Sequence, residues 1–254
     1  RPFFLYFATT TPHANNERTR ATGEGNEVPG DAPYTNEAWP RAEKNKAAMI
    51  TRMDADVGAL LAKLRQLGLD RNTLVLFSSD NGPPREGGND PAFFRSSGPF
   101  RGIKRSLPDG GIRVPTILRW PGRIAPGQVS AQVGITMDLT ATILEAAGAP
   151  APADPHLDGI DWIPVLAGRE PPVERLLFWR THTRNRPQTA VRDGDWKLLV
   201  DGHQAFLFNV RADPGERNDL AYRYPAIMER LRRAHAEWVK AVDSEAARNG
   251  ALRP

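Results

Sequence analysis

Two neighbouring side chains carry oxygen donors just beyond an apolar segment at residues 73–77. They are Asp80 and Asn81. A carboxylate and an amide oxygen are hard ligands of the kind that Ca²⁺ and Mg²⁺ prefer. The apolar segment is typical of a central strand, and α/β proteins build ligand sites beyond the carboxyl ends of such strands. Asp-Asn-Gly is also a common turn sequence, so the pair predicts either a divalent-cation site or a plain turn.

A second candidate lies in a glycine-rich segment. Lys104 closes the sequence Arg101-Gly-Ile-Lys104, and a pair of glycines follows at residues 110 and 111. Glycine adopts positive φ at no steric cost, so we expect the pair to bring the lysine close to a bound group. Lys104 would then hold an anionic ester oxygen, with Arg101 as a further substrate contact. The alternative is a solvated surface lysine.

Two histidines stand in polar surroundings that suit a site. His13 follows Thr11 and Pro12 after an apolar segment, where it is either a ligand or general acid, or a bystander. His182 lies among threonines and arginines and either contacts a substrate or lines a surface loop. The chain has no cysteine, which excludes disulfides, thiolate metal sites and a cysteine nucleophile within these residues.

The elements that position these residues alternate between helices and strands. Apolar residues recur at helical spacing over residues 47–64, which predicts an amphipathic helix, and the segment at 73–77 follows it as a strand. Residues 3–8 predict another buried strand, and residues 14–40 predict a long surface loop. A strand at 116–118 and a helix at 137–147 complete an α/β fold with a large mixed, mainly parallel sheet flanked by helices.

The character of the sequence changes after a proline-rich stretch at residues 150–172. Four short apolar segments, joined by turns such as Asp193-Gly194 and Asp201-Gly202, predict a small antiparallel sheet, and the apolar spacing after Pro225 predicts a C-terminal helix. We therefore divide the chain into an α/β part at residues 1–172 and a small α+β subdomain at residues 173–254. The predicted strands are residues 176–179, 188–192, 196–200 and 205–210.

Composition narrows the classes of partner. The net charge of +4 comes from arginines scattered along the chain without a block of like charges, which predicts no nucleic-acid partner. The longest apolar stretch near the start is too short to cross a bilayer and lacks the features of a signal peptide. We therefore expect no membrane span in this chain, and the sequence leaves the oligomeric state open.

The order of the motifs resembles the sulfatase family within the alkaline phosphatase superfamily. The succession runs from Pro12-His13 through Ser-Asp80-Asn81-Gly and Arg-Gly-Ile-Lys104 to Gly-Gly-Ile-Arg-Val-Pro at 110–115. It continues through Asp-Gly-Asp-Trp-Lys at 193–197 and Asp-Pro-Gly-Glu at 213–216, so the resemblance covers nearly the whole chain. Residues 12–17 and 97–105 look most like the bacterial arylsulfatase and N-acetylgalactosamine-6-sulfatase branch. The chain resembles the C-terminal portion of such an enzyme.

The resemblance implies a role for each candidate. Asp80 and Asn81 match part of the family's Ca²⁺ site, with Mg²⁺ as the alternative ion. His13 and Lys104 match residues that bind the sulfate group and assist the leaving oxygen. The nucleophile implied by the resemblance is a formylglycine, made from a cysteine or a serine that we expect upstream of this chain. One residue departs from the family pattern, since Asp109 stands where the family usually has glutamate.

The function implied is hydrolysis of sulfate esters of a carbohydrate, another small molecule or an aryl alcohol. Two alternatives stay open: a phosphoester or phosphonate hydrolase of the same superfamily, and a non-catalytic carbohydrate-binding remnant. We expect the chain alone to be inactive, because the motif that yields the nucleophile is not among its residues. The resemblance also implies a periplasmic or secreted protein, while the position of the sulfate ester is not fixed by the sequence.

Overall fold

The computed structural model describes residues 1–149, 157–183 and 186–248, so part of the proline-rich stretch at 150–172 lies outside the described residues. The chain divides into two units. The first contains Arg1–Thr73 and Pro83–Ser96, and the second contains Leu74–Gly82 and Ser97–Pro254. The predicted domain division at residue 172 stays a prediction.

The first unit is helical. It contains α1 (Asn16–Thr22), α2 (Arg41–Gln66) and a single 3-10 turn at Asp70–Asn72. The short helix α1 interrupts the surface loop predicted for residues 14–40, so that prediction is wrong over these residues. The helix begins there because Oδ1 of Asn15 accepts a hydrogen bond from the backbone N–H of Arg18 at 2.9 Å, which caps the first turn.

The amphipathic helix predicted near residues 47–64 is confirmed as α2, but its packing differs from the prediction. Its buried residues lie in the first half and include Ala48 and Met49. In the second half of the helix the apolar side chains are only partly buried or exposed, and the side chain of Leu60 is 39% exposed. Helical spacing identified the element, whereas burial depends on which surfaces lie against it.

Residues 3–8 do not form the buried strand that the sequence predicted. The segment belongs to no strand, and its aromatic side chains are exposed, with Phe4 at 73% and Tyr6 at 81%. An apolar run becomes a strand only when neighbouring strands satisfy its backbone groups, and no described strand pairs with it. The prediction of a buried strand at residues 3–8 is therefore wrong.

The second unit contains every described strand. The strands β1 (Val75–Ser78) and β2 (Thr116–Arg119) form an antiparallel pair, in which Ser78 lies opposite Thr116. Three helices accompany them: α3 (Asp109–Ile112), α4 (Asp138–Ala147) and α5 (Ile163–Leu166). The predicted strands at 73–77 and 116–118 are confirmed. The helix that ends at Gly148 is also confirmed, and this glycine caps α4 in a left-handed conformation.

The predicted C-terminal sheet and helix are confirmed. Four antiparallel strands follow one another in sequence order, and a long helix comes after them. Each of the last two hairpins turns on a glycine with positive φ, Gly194 and Gly202, as the Asp-Gly pairs indicated. The elements are β3 (Leu176–Thr183), β4 (Arg186–Asp193), β5 (Trp196–Asp201), β6 (Gln204–Asn209) and α6 (Pro225–Arg248).

The two faces of this sheet have different partners. Because successive strand residues point to opposite faces, Leu198 and Leu199 belong to different cores. Leu198 packs with Leu231 of α6 in one buried cluster. Leu199 packs with Leu107, which precedes α3, in another. The sheet therefore holds the C-terminal helix on one face and the segment that leads into α3 on the other.

Among the helices in the described part of the chain, none is long and apolar enough to cross a bilayer.

Candidate functional site

Asp80 and Asn81 lie directly after β1, as the sequence indicated. The side chain of Asp80 is exposed, and that of Asn81 is half-buried. Nδ2 of Asn81 donates a hydrogen bond to the carbonyl of Gly82 at 2.9 Å. This bond orients the amide, and Oδ1, which is its acceptor atom, is the atom of Asn81 that could bind a cation. A carboxylate and an amide oxygen thus stand side by side at a strand end.

Asp80 and Asn81 also line a broad groove, which we call the strand-end groove. It is formed wholly by residues of the second unit and has a volume of about 1470 Å³. Five cationic side chains and two carboxylates line it, so its charge favours an anionic ligand. The charged lining residues are Asp80, Arg105, Asp109, Arg113, Arg119, Arg192 and Lys197.

Lys104 is half-buried in the segment before α3 and is not one of the residues that line the groove. The adjacent Arg105 does line it. Arg105 has φ of 73°, a left-handed conformation that is uncommon for a residue other than glycine. Such conformations cluster at functional sites, and this one was not foreseen because sequence patterns do not reveal backbone strain.

The glycine pair at 110 and 111 does not act through positive φ, so that prediction is wrong. Both residues form part of α3, and the left-handed glycine of this segment is Gly102, with φ of 93°. The pair is needed for close approach instead. A Cβ on Gly110 would lie 2.3 Å from the carbonyl oxygen of Gly102, and one on Gly111 would lie 2.0 Å from that of Ser106. No larger residue fits without moving this backbone.

The two predicted substrate contacts have different positions. Arg101 is exposed, and its guanidinium lies 5.4 Å from the ring centre of Phe208, a cation–π contact that joins its segment to β6. The backbone of His182 lies in β3 opposite Pro187, and its side chain lies outside the described part of the chain. The roles of both residues in substrate binding stay predictions.

His13 belongs to the first unit and is exposed. Its Nδ1 lies 2.7 Å from the carbonyl oxygen of Ala14, which is buried. Nζ of Lys46 on α2 donates to the carbonyl of Pro12 at 2.6 Å, so the helix holds the backbone directly before the histidine. The imidazole of His13 therefore belongs to a segment that a hydrogen bond from Lys46 connects to α2.

A buried charge cluster was not foreseen from the sequence. Lys197 of β5 is fully buried, and its Nζ donates to Oδ1 of Asp109 at 2.6 Å and to the carbonyl of Leu107 at 2.8 Å. It also pairs with Oε1 of Glu216 at 3.0 Å. Burial raises the pKa of Glu216, while the ammonium of Lys197 acts in the opposite direction. Asp109, which departs from the family pattern, is therefore part of a buried ion cluster.

The oxygen donors at the strand end are of the type that a hard divalent cation binds, but they are too few to complete its coordination. Ca²⁺ takes six to eight oxygen ligands, and Asp80 with Asn81 would supply a minority of them. Among the described residues, no group of three or more His, Asp or Glu side chains is arranged to hold a metal. The strand end can thus serve as one side of a cation site that other ligands complete.

Comparison with known proteins points to one family. Residues 1–149 match the family model described as Sulfatase, and residues 102–241 match the model described as N-sulphoglucosamine sulphohydrolase, C-terminal. The chain is 35% identical to the N-acetylgalactosamine-6-sulfatase of Mus musculus over 91% of this chain and 47% of that protein. It is 34% identical to the arylsulfatase A of Homo sapiens over 84% of this chain and 39% of that protein.

Solved structures show the same likeness. The crystal structure of Ps i-CgsB is 28% identical, with a TM-score of 0.76 over 93% of this chain and 50% of that one. The same protein in complex with k-i-k-neocarrahexaose is 27% identical, with a TM-score of 0.73 over 91% of this chain and 48% of that one. These likenesses confirm the predicted α/β fold with its small antiparallel sheet and C-terminal helix. The chain spans at most about half the length of these relatives.

Proposed function

The chain belongs to the sulfatase family, and on that premise we propose that it supplies part of the active site of an enzyme that hydrolyses sulfate esters. The proposal depends mainly on Asp80 and Asn81, which lie just after the carboxyl end of β1 and line the strand-end groove. Cationic side chains outnumber carboxylates among the residues that line this groove. A sulfate ester carries negative charge on oxygens, which is the charge that such a groove attracts.

Each candidate residue has a separate task in this proposal. Asp80 and Oδ1 of Asn81 would hold one side of a divalent cation, Ca²⁺ by preference and Mg²⁺ as the alternative. Lys104 would place its ammonium against a sulfate oxygen, and His13 or Lys104 would give the proton to the leaving alcohol. The cation would neutralise charge on the sulfate oxygens, and a formylglycine from residues upstream would supply the nucleophilic oxygen.

The backbone around these residues is arranged to keep them in place. The N–H of Gly82, next to Asn81, donates to the carbonyl of Gly111 at 2.9 Å. The N–H of Gly110 donates to the carbonyl of Arg101 at 2.7 Å. Because these bonds fix both segments to α3, the charges that the segments carry would need little reorganisation at the moment of reaction.

The substrate class we propose is a sulfated carbohydrate, with aryl sulfates as accessible test substrates. Support comes from the similar Ps i-CgsB, which has been crystallised with k-i-k-neocarrahexaose. The broad groove has room for more than the sulfate group alone, since its volume is about 1470 Å³. We also propose that the protein acts in the periplasm or outside the cell, by the family resemblance.

The test compares three esters of the same alcohol, 4-nitrophenol, as substrates of the full-length protein. We expect turnover of 4-nitrophenyl sulfate to exceed that of 4-nitrophenyl phosphate and bis(4-nitrophenyl) phosphate. A preference for either phosphate would replace the proposal with the phosphoester hydrolase. Binding of a sulfated oligosaccharide without turnover of any of these esters would replace it with a carbohydrate-binding protein.

A further inference from the structure

A lysine that cannot reach solvent lies at the base of the strand-end groove. Lys197 has no exposed side-chain surface. Its three contacts are the carbonyl of Leu107, Oδ1 of Asp109 and Oε1 of Glu216, at 2.8, 2.6 and 3.0 Å. The first two contacts are hydrogen bonds, and the third is an ion pair, so acceptors or negative charge surround the ammonium on three sides. Such a lysine does not bind substrate, so its effect must pass through the groups that it holds.

Two of those groups, Leu107 and Asp109, lie at the start of α3, and the third, Glu216, lies in the segment after β6. Besides its contact with Lys197, Glu216 accepts a hydrogen bond at Oε2 from the backbone N–H of Asp109, at 2.6 Å. The N–H of Leu107 donates to Oε1 of Gln188 on β4, at 3.1 Å. The C-terminal sheet and the segment around Glu216 therefore fix both the side chain and the backbone of residues 107–109.

From α3 the contacts continue to both candidate loops. The carbonyl of Gly111 accepts from the N–H of Gly82, which follows Asn81. The N–H of Gly110 donates to the carbonyl of Arg101, at the start of the segment that carries Lys104. The packing is tight, because a Cβ on Gly82 would lie 1.9 Å from the carbonyl oxygen of Gly110. A shift of α3 would therefore displace the loop of Asp80 and Asn81, which we call the cation loop, together with the loop of Lys104.

Burying charges at this position needs an explanation other than stability. An apolar side chain of similar volume often replaces a buried ion pair with no loss of stability, whereas buried ionic groups are retained in some proteins because they specify one arrangement. Lys197 joins groups that are 88 residues and 19 residues away in the sequence, Asp109 and Glu216. An ion cluster between such distant segments defines their register, which van der Waals packing alone defines less sharply.

We propose that Lys197 is a positioning residue for the active site: through Asp109 it sets α3, and α3 holds the loop of Asp80 and Asn81 and the loop of Lys104 in their working positions. The inference rests on the proposed sulfatase function for its catalytic consequence. Its structural part concerns only contacts within the second unit and is testable without turnover.

The main variant is Lys197→Met, which keeps an unbranched side chain, one heavy atom shorter, and removes its charge. In the full-length enzyme we expect kcat for 4-nitrophenyl sulfate to fall about a hundredfold, because a displacement of about 1 Å in a catalytic constellation costs that much. KM should change far less, since the lost interactions act in the transition state. Lys197→Met/Glu216→Gln serves as a second variant, because it leaves less unpaired buried charge if the single variant folds poorly.

The matched control is Arg175→Met. Arg175 pairs with Asp138, which is fully buried and also accepts from Nε1 of Trp162 at 3.0 Å. This change also breaks an ion pair to a buried carboxylate in the second unit, so it lowers the melting temperature without touching α3. We expect its kcat per folded molecule to stay within about twofold of the wild type, as expected when a change does not remove transition-state interactions. An equal fall of kcat in both variants would mean that loss of stability, not position, explains the effect.

Amide hydrogen exchange gives a readout that does not need activity. In Lys197→Met the amides of Gly82 and Gly110 should lose protection, while those of Leu198 and Leu207 in the C-terminal sheet should keep it. In Arg175→Met all four should stay protected. Unchanged protection of Gly82 and Gly110 in both Lys197 variants would overturn the inference, even if the wild-type enzyme hydrolyses sulfate esters.

Failure of the proposed function and failure of the positioning role would give different results. A wild-type protein that turns over no sulfate ester would refute the proposed function, and the exchange data would still decide whether Lys197 positions the two loops. A wild-type sulfatase whose kcat survives in Lys197→Met, with KM unchanged, would refute the positioning role alone.

Discussion

The backbone N–H of Gly82 donates a hydrogen bond of 2.9 Å to the carbonyl of Gly111. This contact joins the end of β1, where Asp80 and Asn81 stand, to α3. Gly82 is buried, and a Cβ at this position would lie 1.9 Å from the carbonyl oxygen of Gly110. The candidate cation loop is therefore held at a distance that only glycine permits.

Replacing this glycine should disturb the candidate cation loop. In Gly82→Ala the added methyl group must push the loop away from α3, because its contact is with backbone and not with a mobile side chain. We expect the affinity for Ca²⁺, measured by calorimetry on the full-length protein, to fall at least about tenfold, which corresponds to about 1.4 kcal/mol. The control is Gly58→Ala in α2, where a Cβ meets nothing within 4 Å. An unchanged affinity in Gly82→Ala would show that the close approach is not needed.

Lys104 should matter for turnover more than for folding. If its ammonium acts on charge that develops in the transition state, Lys104→Ala lowers kcat about a hundredfold to a thousandfold, by comparison with single donors in other sites. The measurement is the rate of 4-nitrophenyl sulfate hydrolysis by the full-length enzyme. Lys63→Ala, at an exposed position on α2, is the control and should leave the rate unchanged. A wild-type rate in Lys104→Ala would remove this residue from the proposed mechanism.

The C-terminal helix should make the protein sensitive to acid. His235 of α6 is half-buried, and burial lowers its pKa from the ordinary value of 6.5, with the nearby charge of Arg180 acting in the same direction. The folded state therefore binds fewer protons at this position than the unfolded state. The resulting stability is fully present above pH 6.5 and is lost as the pH falls through the lowered pKa.

Melting temperatures between pH 8 and pH 5 test this effect. We expect the fall below pH 6.5 to be smaller in His235→Gln than in the wild type, because glutamine does not titrate. The control is His203→Gln, at an exposed position in the turn between β5 and β6. The same slope in His235→Gln and the wild type would contradict the burial effect.

Expressed by itself, this chain should bind Ca²⁺ weakly and hydrolyse no sulfate ester. Asp80 and Asn81 supply too few of the six to eight oxygens that Ca²⁺ takes. The exposed aromatic side chains of residues 3–7 should also promote aggregation. Light scattering and a 4-nitrophenyl sulfate assay on the purified chain would check both points, with the full-length protein as the reference. Calcium-dependent hydrolysis by the isolated chain would require a nucleophile within these residues.

Much of the second unit was predictable because its signals are local. Asp-Gly pairs marked the two hairpin turns at Gly194 and Gly202, and apolar spacing marked α6. The end of β1 was predictable for the same reason, since an apolar run followed by Asp80 and Asn81 indicates a strand and its terminal turn. The resemblance of the ordered motifs then gave the family.

The remaining features depend on contacts between distant residues. A lysine in a strand is usually exposed, and the burial of Lys197 depends on carboxylates contributed by Asp109 and Glu216. The need for small residues at 110 and 111 comes from carbonyls of a neighbouring turn, not from their own φ angles. The exposure of residues 3–8 likewise depends on which strands lie beside them. Periodicity carries none of this information.

The central claim is that Asp80 and Asn81 hold a divalent cation that serves sulfate ester hydrolysis. The most direct test is the metal content of the purified full-length protein, measured by mass spectrometry for the wild type, Asp80→Ala and the exposed α2 control Asp54→Ala. We predict about one Ca²⁺ per molecule in the wild type and in Asp54→Ala, and a loss of most of it in Asp80→Ala, because a carboxylate ligand is removed. The same Ca²⁺ content in all three proteins would contradict the claim.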